Sequence, residues 1–192
     1  MALFPESSRK RIGSYKDPWE RQLRLASGLL LQEMLNRYFP QKGLSLSDIR
    51  YTAHHKPFLP GSLYFSTTHS GNIAACIAAG YPIGIDTECN QSVDTALFRD
   101  YLTAEEEAAM AAAADKAALF YTLWTRKEAI LKAAGHGLDT TALRDLCALS
   151  GKTWLGGQQY FTRPASLETG YTTHIAAPVR IKSVRIGKMC FI

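Results

Sequence analysis

Residues 116–134 constrain this chain more than any other stretch. Asp115 offers a capping oxygen, and Phe120, Leu123, Trp124, Ile130, Leu131 and Ala134 then form one apolar arc at about 100° per residue. Gly135 and Gly137 supply the stop. The spacing predicts a helix laid on a core. Lys127 falls near the middle of the arc, where an ammonium is costly to bury unless an anion receives it or its stem reaches out to water. Glu128 and Lys132 stand one turn apart at the arc's edge. Taken alone that pair reads as a surface salt bridge; Lys127 shifts the reading toward an anion-binding face.

The rest of the chain divides into further helices and short strands. Asp17-Pro18 is a helix start, Leu23, Ala26, Leu30 and Met34 recur at helical spacing, and Phe39-Pro40 closes the pattern. Arg9-Lys10-Arg11 is a basic cluster ahead of this first clear helix. Ile49–His55 fits a short strand, and strands are expected at Leu63–Ser66, Ile73–Ala79 and Tyr81–Asp86, separated by Gly71-Asn72 and Gly80. The alanines of 73–79 favour a helix, but the short length and bracketing glycines favour a strand. Helices are expected at Val93–Leu102 and Ala104–Ala114, the second opened by a capping box of Thr103 and Glu106. Beyond Leu146 the threonine, tyrosine and valine content reads as strands. Partial segregation of strands and helices indicates an α+β fold.

Composition narrows the function classes. With 192 residues, 46% hydrophobic and 20% charged, the chain can bury a real core and is not of disordered type. Its longest apolar run, Ile73–Ala79, is far too short to span a membrane, and no charged leader precedes an apolar segment. A cytoplasmic protein is the expectation. Cys76, Cys89, Cys147 and Cys190 are scattered without zinc-site spacing, so reduced thiols are expected. The net charge of +5 favours an acidic partner without naming it.

Three segments carry chemistry besides the helix. In Gly84-Ile85-Asp86-Thr87-Glu88, strand alternation projects Asp86 and Glu88 from one face and Ile83 and Ile85 from the other. Two carboxylates side by side repel unless a cation sits between them, and oxygen ligands favour magnesium, manganese or calcium. Exposed acids at a strand end are the bland alternative. Phe65-Ser66-Thr67-Thr68-His69-Ser70 ends a strand in hydroxyls and a histidine, donors suited to a phosphate. It lacks the G-x-S-x-G elbow of a hydrolase. In the third, Lys56 and Pro57 follow His54-His55, and an exposed lysine is the ordinary reading.

Taken in order, HKPFLP, FSTTHS, GIDTE and WTRKEAILKAAGHGL resemble the Sfp-type 4'-phosphopantetheinyl transferase family. That family shows K-P, F-N-x-S-H-S, G-I-D-x-E and W-x-x-K-E-A-x-x-K with a glycine pair. Trp124, Lys127, Glu128, Ala129, Lys132, Gly135, Gly137 and Leu138 all match the last motif. The resemblance runs from about Pro5 to Leu138. Ser66 replaces the family's asparagine, Thr68 its first serine, and the chain starts later than longer members do.

The resemblance implies a fold of two pseudo-two-fold α+β halves, here residues 1–90 and 91–192, with the site in the cleft between them. It implies transfer of 4'-phosphopantetheine from coenzyme A to a serine of an acyl or peptidyl carrier protein, with release of 3',5'-ADP. Asp86, Glu88 and Glu128 would hold magnesium (or manganese), Glu128 would be general base, and Lys132 would neutralise the pyrophosphate. Arg9, Arg11, Arg21, Lys56, Thr68, His69 and Lys127 would complete the coenzyme A site. Glu106 matches a family acid but is equally explained as a helix cap. Val93, Leu97, Phe98 and Tyr101 offer an apolar surface for the carrier. A monomer that binds neither nucleic acid nor membrane is expected. The rivals are a metal-dependent nuclease, disfavoured by the absence of aromatic-basic interleaving, and a non-catalytic coenzyme A or carrier binder.

Overall fold

The computed structural model describes residues 4–52, 56–136 and 140–189. Helix α1 (Glu6–Gly13) contains the basic cluster, which sequence reading left outside any helix. Helix α2 (Pro18–Tyr38) opens as expected: the Asp17 carboxylate accepts from the Trp19 N–H at 2.9 Å, with Pro18 at the first position. Its buried row is Leu23, Ser27, Leu31 and Leu35, one residue per turn. That row packs on a hairpin of β3 (Tyr64–Ser70) and β4 (Ile73–Ala79), whose register pairs Thr68 with Ala75. The strand reading of 73–79 holds. β3, in contrast, runs on through all the hydroxyls of FSTTHS rather than ending at Ser66. The stretch 49–58 forms only a two-residue ladder, β1 (Arg50–Tyr51) with β2 (Pro57–Phe58).

A four-stranded antiparallel sheet follows, ordered β5 (Gly84–Cys89), β8 (Tyr171–Ala177), β7 (Gln158–Pro164), β6 (Lys152–Leu155). β5 precedes residue 90 in the chain, and its backbone hydrogen bonds join it to β8. Between β5 and β6 lie α3 (Ala104–Ala112), α4 (Lys116–Ala134) and α5 (Thr140–Asp145). The helix expected at 93–102 is instead a 3-10 segment, Thr95–Tyr101, capped by Asp94. Strands and helices are mixed without a regular parallel crossover, so the fold class is α+β. Cys76, Cys89 and Cys147 are free thiols, and Cys190 lies outside the described residues.

α4 has the expected ends, with Asp115 accepting from the Ala118 N–H and Gly135 left-handed at φ 85°. It is buried nearly all round. One side, through Phe120 and Leu123, meets Leu102, Met110 and Ala148; another, through Ala129, Ile130 and Ala133, meets Leu146, Tyr160 and Ala176. The closest approach is at Gly84, where an added Cβ would lie 2.0 Å from the Ala129 carbonyl oxygen and 2.6 Å from the Ala133 nitrogen. Helix backbone touches strand backbone there, and no side chain fits.

Gly84→Ala therefore forces α4 off β5, and the expected loss is about 3 kcal/mol, at the upper end of overpacking costs. Urea unfolding checks this, and a wild-type midpoint would show that the contact is slack.

Candidate active site

The Gly84 contact fixes what stands beside it. Asp86 and Glu88 follow on the same face of β5, under α4, and Asp86 lies opposite His174 of β8. From the helix, Lys132 reaches down to place its Nζ 2.6 Å from Asp86 Oδ1. Glu128 stands one turn earlier on α4, 8% exposed, and Asp86 is 4% exposed. The sequence elements GIDTE and KEAILK thus meet along one edge of a single helix–strand contact.

Negative charge exceeds positive charge at this point. Burial raises the Asp86 carboxyl above its ordinary range, while Lys132 and the Thr68 hydroxyl oppose the shift. Burial likewise raises Glu88, against hydrogen bonds from Ser70 and Trp124. Glu128 is pushed up to about 7, first by burial; Lys132 opposes this, and the charges of Asp86 and Glu88 add to it. Asp86 Oδ2 and Glu128 Oε1 are buried with no hydrogen-bond partner. Each is an acceptor that a cation would satisfy. Among the described residues no three acid, histidine or cysteine side chains are grouped as a ready-made metal site. Magnesium does not require one, because it takes one or two carboxylates and completes its shell with water and phosphate oxygens. The donor set fits such an ion.

Several expected ligands turn out to do other work. Lys127, expected at the coenzyme A site, is instead fully buried, on the side of α4 away from the carboxylates. Its Nζ is 2.6 Å from Glu106 Oε2 and 2.7 Å from the carbonyls of Tyr101 and Leu143. All three ammonium protons are used, leaving none for a phosphate. Glu106 is its counter-ion and also closes the capping box, accepting from the N–H groups of Thr103 and Ala148. It stands outside the carboxylate cluster. Lys56 donates to the carbonyls of Lys132 and Ala133 and so caps α4, where the helix dipole favours a cation. The Thr68 hydroxyl is also committed, to Asp86 Oδ1 at 3.0 Å and to the Thr87 N–H at 3.2 Å.

His69 points from the opposite face of β3 to α2, with Nε2 4.0 Å from Glu20, and burial keeps its ring below the ordinary titration range. Arg9 and Arg11 lie on the exposed side of α1, Arg11 over the Tyr51 ring at 6.0 Å, and Arg21 is half-buried on α2. His54, His55, Gly137 and Leu138 lie outside the described residues.

Sequence reading missed Arg24. Its guanidinium lies 3.8 Å from the Tyr15 ring centre and is paired with Glu20 beside His69. The i,i+4 spacing of Glu20 and Arg24 was the available signal. It also missed Thr125 and His174, joined at 2.8 Å beneath α4, with the buried imidazole held down to about 4. Of the apolar surface offered to a carrier, only Leu97 projects, 75% exposed. Phe98 and Tyr101 pack on Trp124 at centroid distances of 5.4 and 5.7 Å, and Val93 is half-buried against the same cluster.

Residues 82–180 match the family model described as the 4'-phosphopantetheinyl transferase superfamily. The 4'-phosphopantetheinyl transferase gsp of Aneurinibacillus migulanus is 28% identical over 115 residues, which are 57% of this chain and 48% of that protein. The 4'-phosphopantetheinyl transferase Sfp of Bacillus subtilis is 25% identical over 145 residues, 72% of this chain and 63% of that protein. The chain thus spans about half to under two thirds of the length of these relatives. The crystal structure of Thermotoga maritima holo-[acyl-carrier-protein] synthase covers 50% of this chain at 15% identity and a TM-score of 0.39.

Two stability outcomes follow from the charges. Lys127→Met leaves Glu106 buried without a counter-ion and is expected to cost about 3–5 kcal/mol, whereas Lys127→Met with Glu106→Gln regains part of it. Equal unfolding midpoints for the single and double variants would contradict the pairing. In EDTA at pH 8, Glu128→Gln is expected to be the more stable protein. The shift from 4.5 to about 7 corresponds to at most about 3 kcal/mol of burial penalty. The penalty is complete above the folded-state value, shrinks as pH falls through 7, and vanishes below 4.5 as the folded and unfolded carboxyls both protonate. Thermal melts from pH 8 to 4.5 check the sign.

Proposed function

The chain belongs to the 4'-phosphopantetheinyl transferase superfamily, and from that premise we propose that it moves 4'-phosphopantetheine from coenzyme A to a serine of an apo acyl or peptidyl carrier protein. The observation that carries this reading is the Asp86–Lys132 contact beside the unpartnered oxygen of Glu128. One lysine and three acids on a single helix–strand contact suit a reaction governed by positioning and neutralisation of phosphate charge. The transferase names of the relatives support the same chemistry.

Asp86, Glu88 and Glu128 are the residues that would hold magnesium or manganese, and the ion would supply charge neutralisation on the pyrophosphate oxygens. Glu128, poised at about 7, is suited to take the proton of the carrier serine, directly or through a water. The serine oxygen bonds to the β-phosphorus as the bond from that phosphorus to the bridging oxygen breaks. The electron pair leaves with 3',5'-ADP. Lys132 is placed to neutralise the departing phosphate. His69, with Arg24 beside it, would take the nucleotide end, and Arg9, Arg11 and Arg21 would contribute from α1 and α2.

The net charge of +5 suits an acidic carrier, and the exposed Leu97 gives it an apolar contact. The β3–β4 hairpin is covered by α2 and the four-stranded sheet by α4, which supports the pairing of two α+β halves. Among the described residues no helix is long and apolar enough to cross a membrane. A cytoplasmic enzyme working without nucleic acid is the reading we favour.

The test is the intact mass of apo acyl, polyketide and peptidyl carriers after incubation with the enzyme, coenzyme A and magnesium. A gain of one phosphopantetheine is expected, lost with EDTA and reduced by roughly 100-fold or more in rate in Glu128→Gln, as for loss of a general base. No gain on any carrier would sink the reading.

A further inference from the structure

The free edge of β5 is closed by side chains rather than by a neighbouring strand's carbonyls. Ser66 Oγ accepts from the Ile85 N–H at 3.2 Å, Thr68 Oγ1 from Thr87 at 3.2 Å, and Ser70 Oγ from Cys89 at 3.0 Å. The partners advance in step, so β3 runs parallel to β5 with three hydroxyls standing where backbone acceptors would be. Each such hydroxyl has one proton of its own left to give. Thr68 gives it to Asp86 Oδ1 at 3.0 Å, and Ser70 to Glu88 Oε2 at 2.7 Å. By the same rule Ser66 would face the side chain of residue 84, which is glycine.

We propose that Thr68 and Ser70 are positioning residues for cation binding, each fixing one carboxylate by the proton that the β5 backbone leaves it free to donate. The proposal rests on the transferase reading of the same site. Asp86 Oδ1 already receives both Thr68 and Lys132. This leaves Oδ2, buried and without a partner, as the oxygen for the ion. Without Thr68 the carboxylate can rotate about its last bond and exchange the two oxygens. Ser70 constrains Glu88 in the same way, at the more open end of the strand. Hydrogen bonds of this kind to metal-holding groups are commonly worth 10- to 100-fold in metal affinity. Thr68, expected from sequence to meet a phosphate, acts in this account on the metal ligand instead.

Ser66 is an internal control, since it has the same place in the seam, the same backbone duty and no carboxylate. Ser66→Ala and Thr68→Val each leave a buried N–H unmatched and Ser70→Ala a partly buried one, so all three should lower the urea midpoint, Ser70→Ala the least. Binding of Mn2+ to the metal-free protein, followed by the electron paramagnetic resonance signal of the free ion, separates the roles. Thr68→Val and Ser70→Ala are expected to weaken it by roughly 10-fold, Ser66→Ala by less than about two-fold, and Thr68→Ser and Ser70→Thr to restore it. Equal weakening in all three, or wild-type affinity in Thr68→Val and Ser70→Ala, would overturn the proposal. Wild-type protein that neither binds Mn2+ nor modifies any carrier would remove the transferase reading, and the proposal with it. Carrier modification by wild type together with unchanged Mn2+ binding in the variants removes the proposal alone.

Discussion

The contact between the backbone of α4 and the backbone of β5 at Gly84 is the constraint on which the site depends. Side chains normally hold a helix away from a sheet by their own bulk. Here the sheet contributes Gly84 and Ala176 and the helix Ala129 and Ala133, so the two surfaces meet with almost nothing between them. The short separation lets the Lys132 ammonium reach Asp86 at hydrogen-bonding distance. It also shuts water away from Glu128, and this is the first cause of that carboxyl's raised proton affinity. A bulkier residue at 84 would relax both effects together.

Neighbouring residues on α4 divide structure from chemistry because each step along a helix turns by about 100°. Lys127 faces Glu106 and is matched in charge, in hydrogen bonds and in burial, tying Tyr101, α3, α5 and the strand-bound segment at Ala148 to one point. Glu128 faces Asp86 and Glu88, is only partly offset by the charge of Lys132, and keeps Oε1 buried without a hydrogen bond. A buried pair with every bond satisfied can hold a fold in register. A buried acid with a vacant oxygen costs stability and is retained where a ligand answers it. The same criterion, applied to the ammonium of Lys56 on the carbonyls of α4, marks that lysine as a clasp on the helix end.

Local signals made much of this legible in sequence. The caps at Asp17 and Asp115, the row Leu23 to Leu35 and the glycine stop of α4 act within a turn or two, so spacing alone reveals them. Strand alternation likewise placed Asp86 and Glu88 on one face. Lys127 was misread because its partner lies 21 positions earlier, on a helix whose packing no local pattern specifies. α1 escaped notice because Pro5 offers no capping side chain. The segment 95–101 tightened into 3-10 turns, with Phe98 and Tyr101 drawn onto Trp124. Arg24 was hidden by being an ordinary helical salt-bridge residue that gains significance only through Tyr15 and His69.

The hydroxyls of β3 explain why two sheets exist instead of one. A backbone ladder between β3 and β5 would merge the hairpin with the four-stranded sheet, and the pleat would then turn Thr68 and Ser70 out of the sheet plane, away from the β5 N–H groups. Replacing carbonyls by Ser66, Thr68 and Ser70 keeps the β5 N–H groups satisfied while turning a whole face of β3 toward the strand edge. Edge protection, which most sheets obtain from charge or a covering loop, is obtained here from groups that still have a proton to donate. Those protons fall on the two carboxylates that face α4. The joint between the two sheets is therefore part of the acid cluster, and any change in how the hairpin sits against β5 must be felt at Asp86 and Glu88.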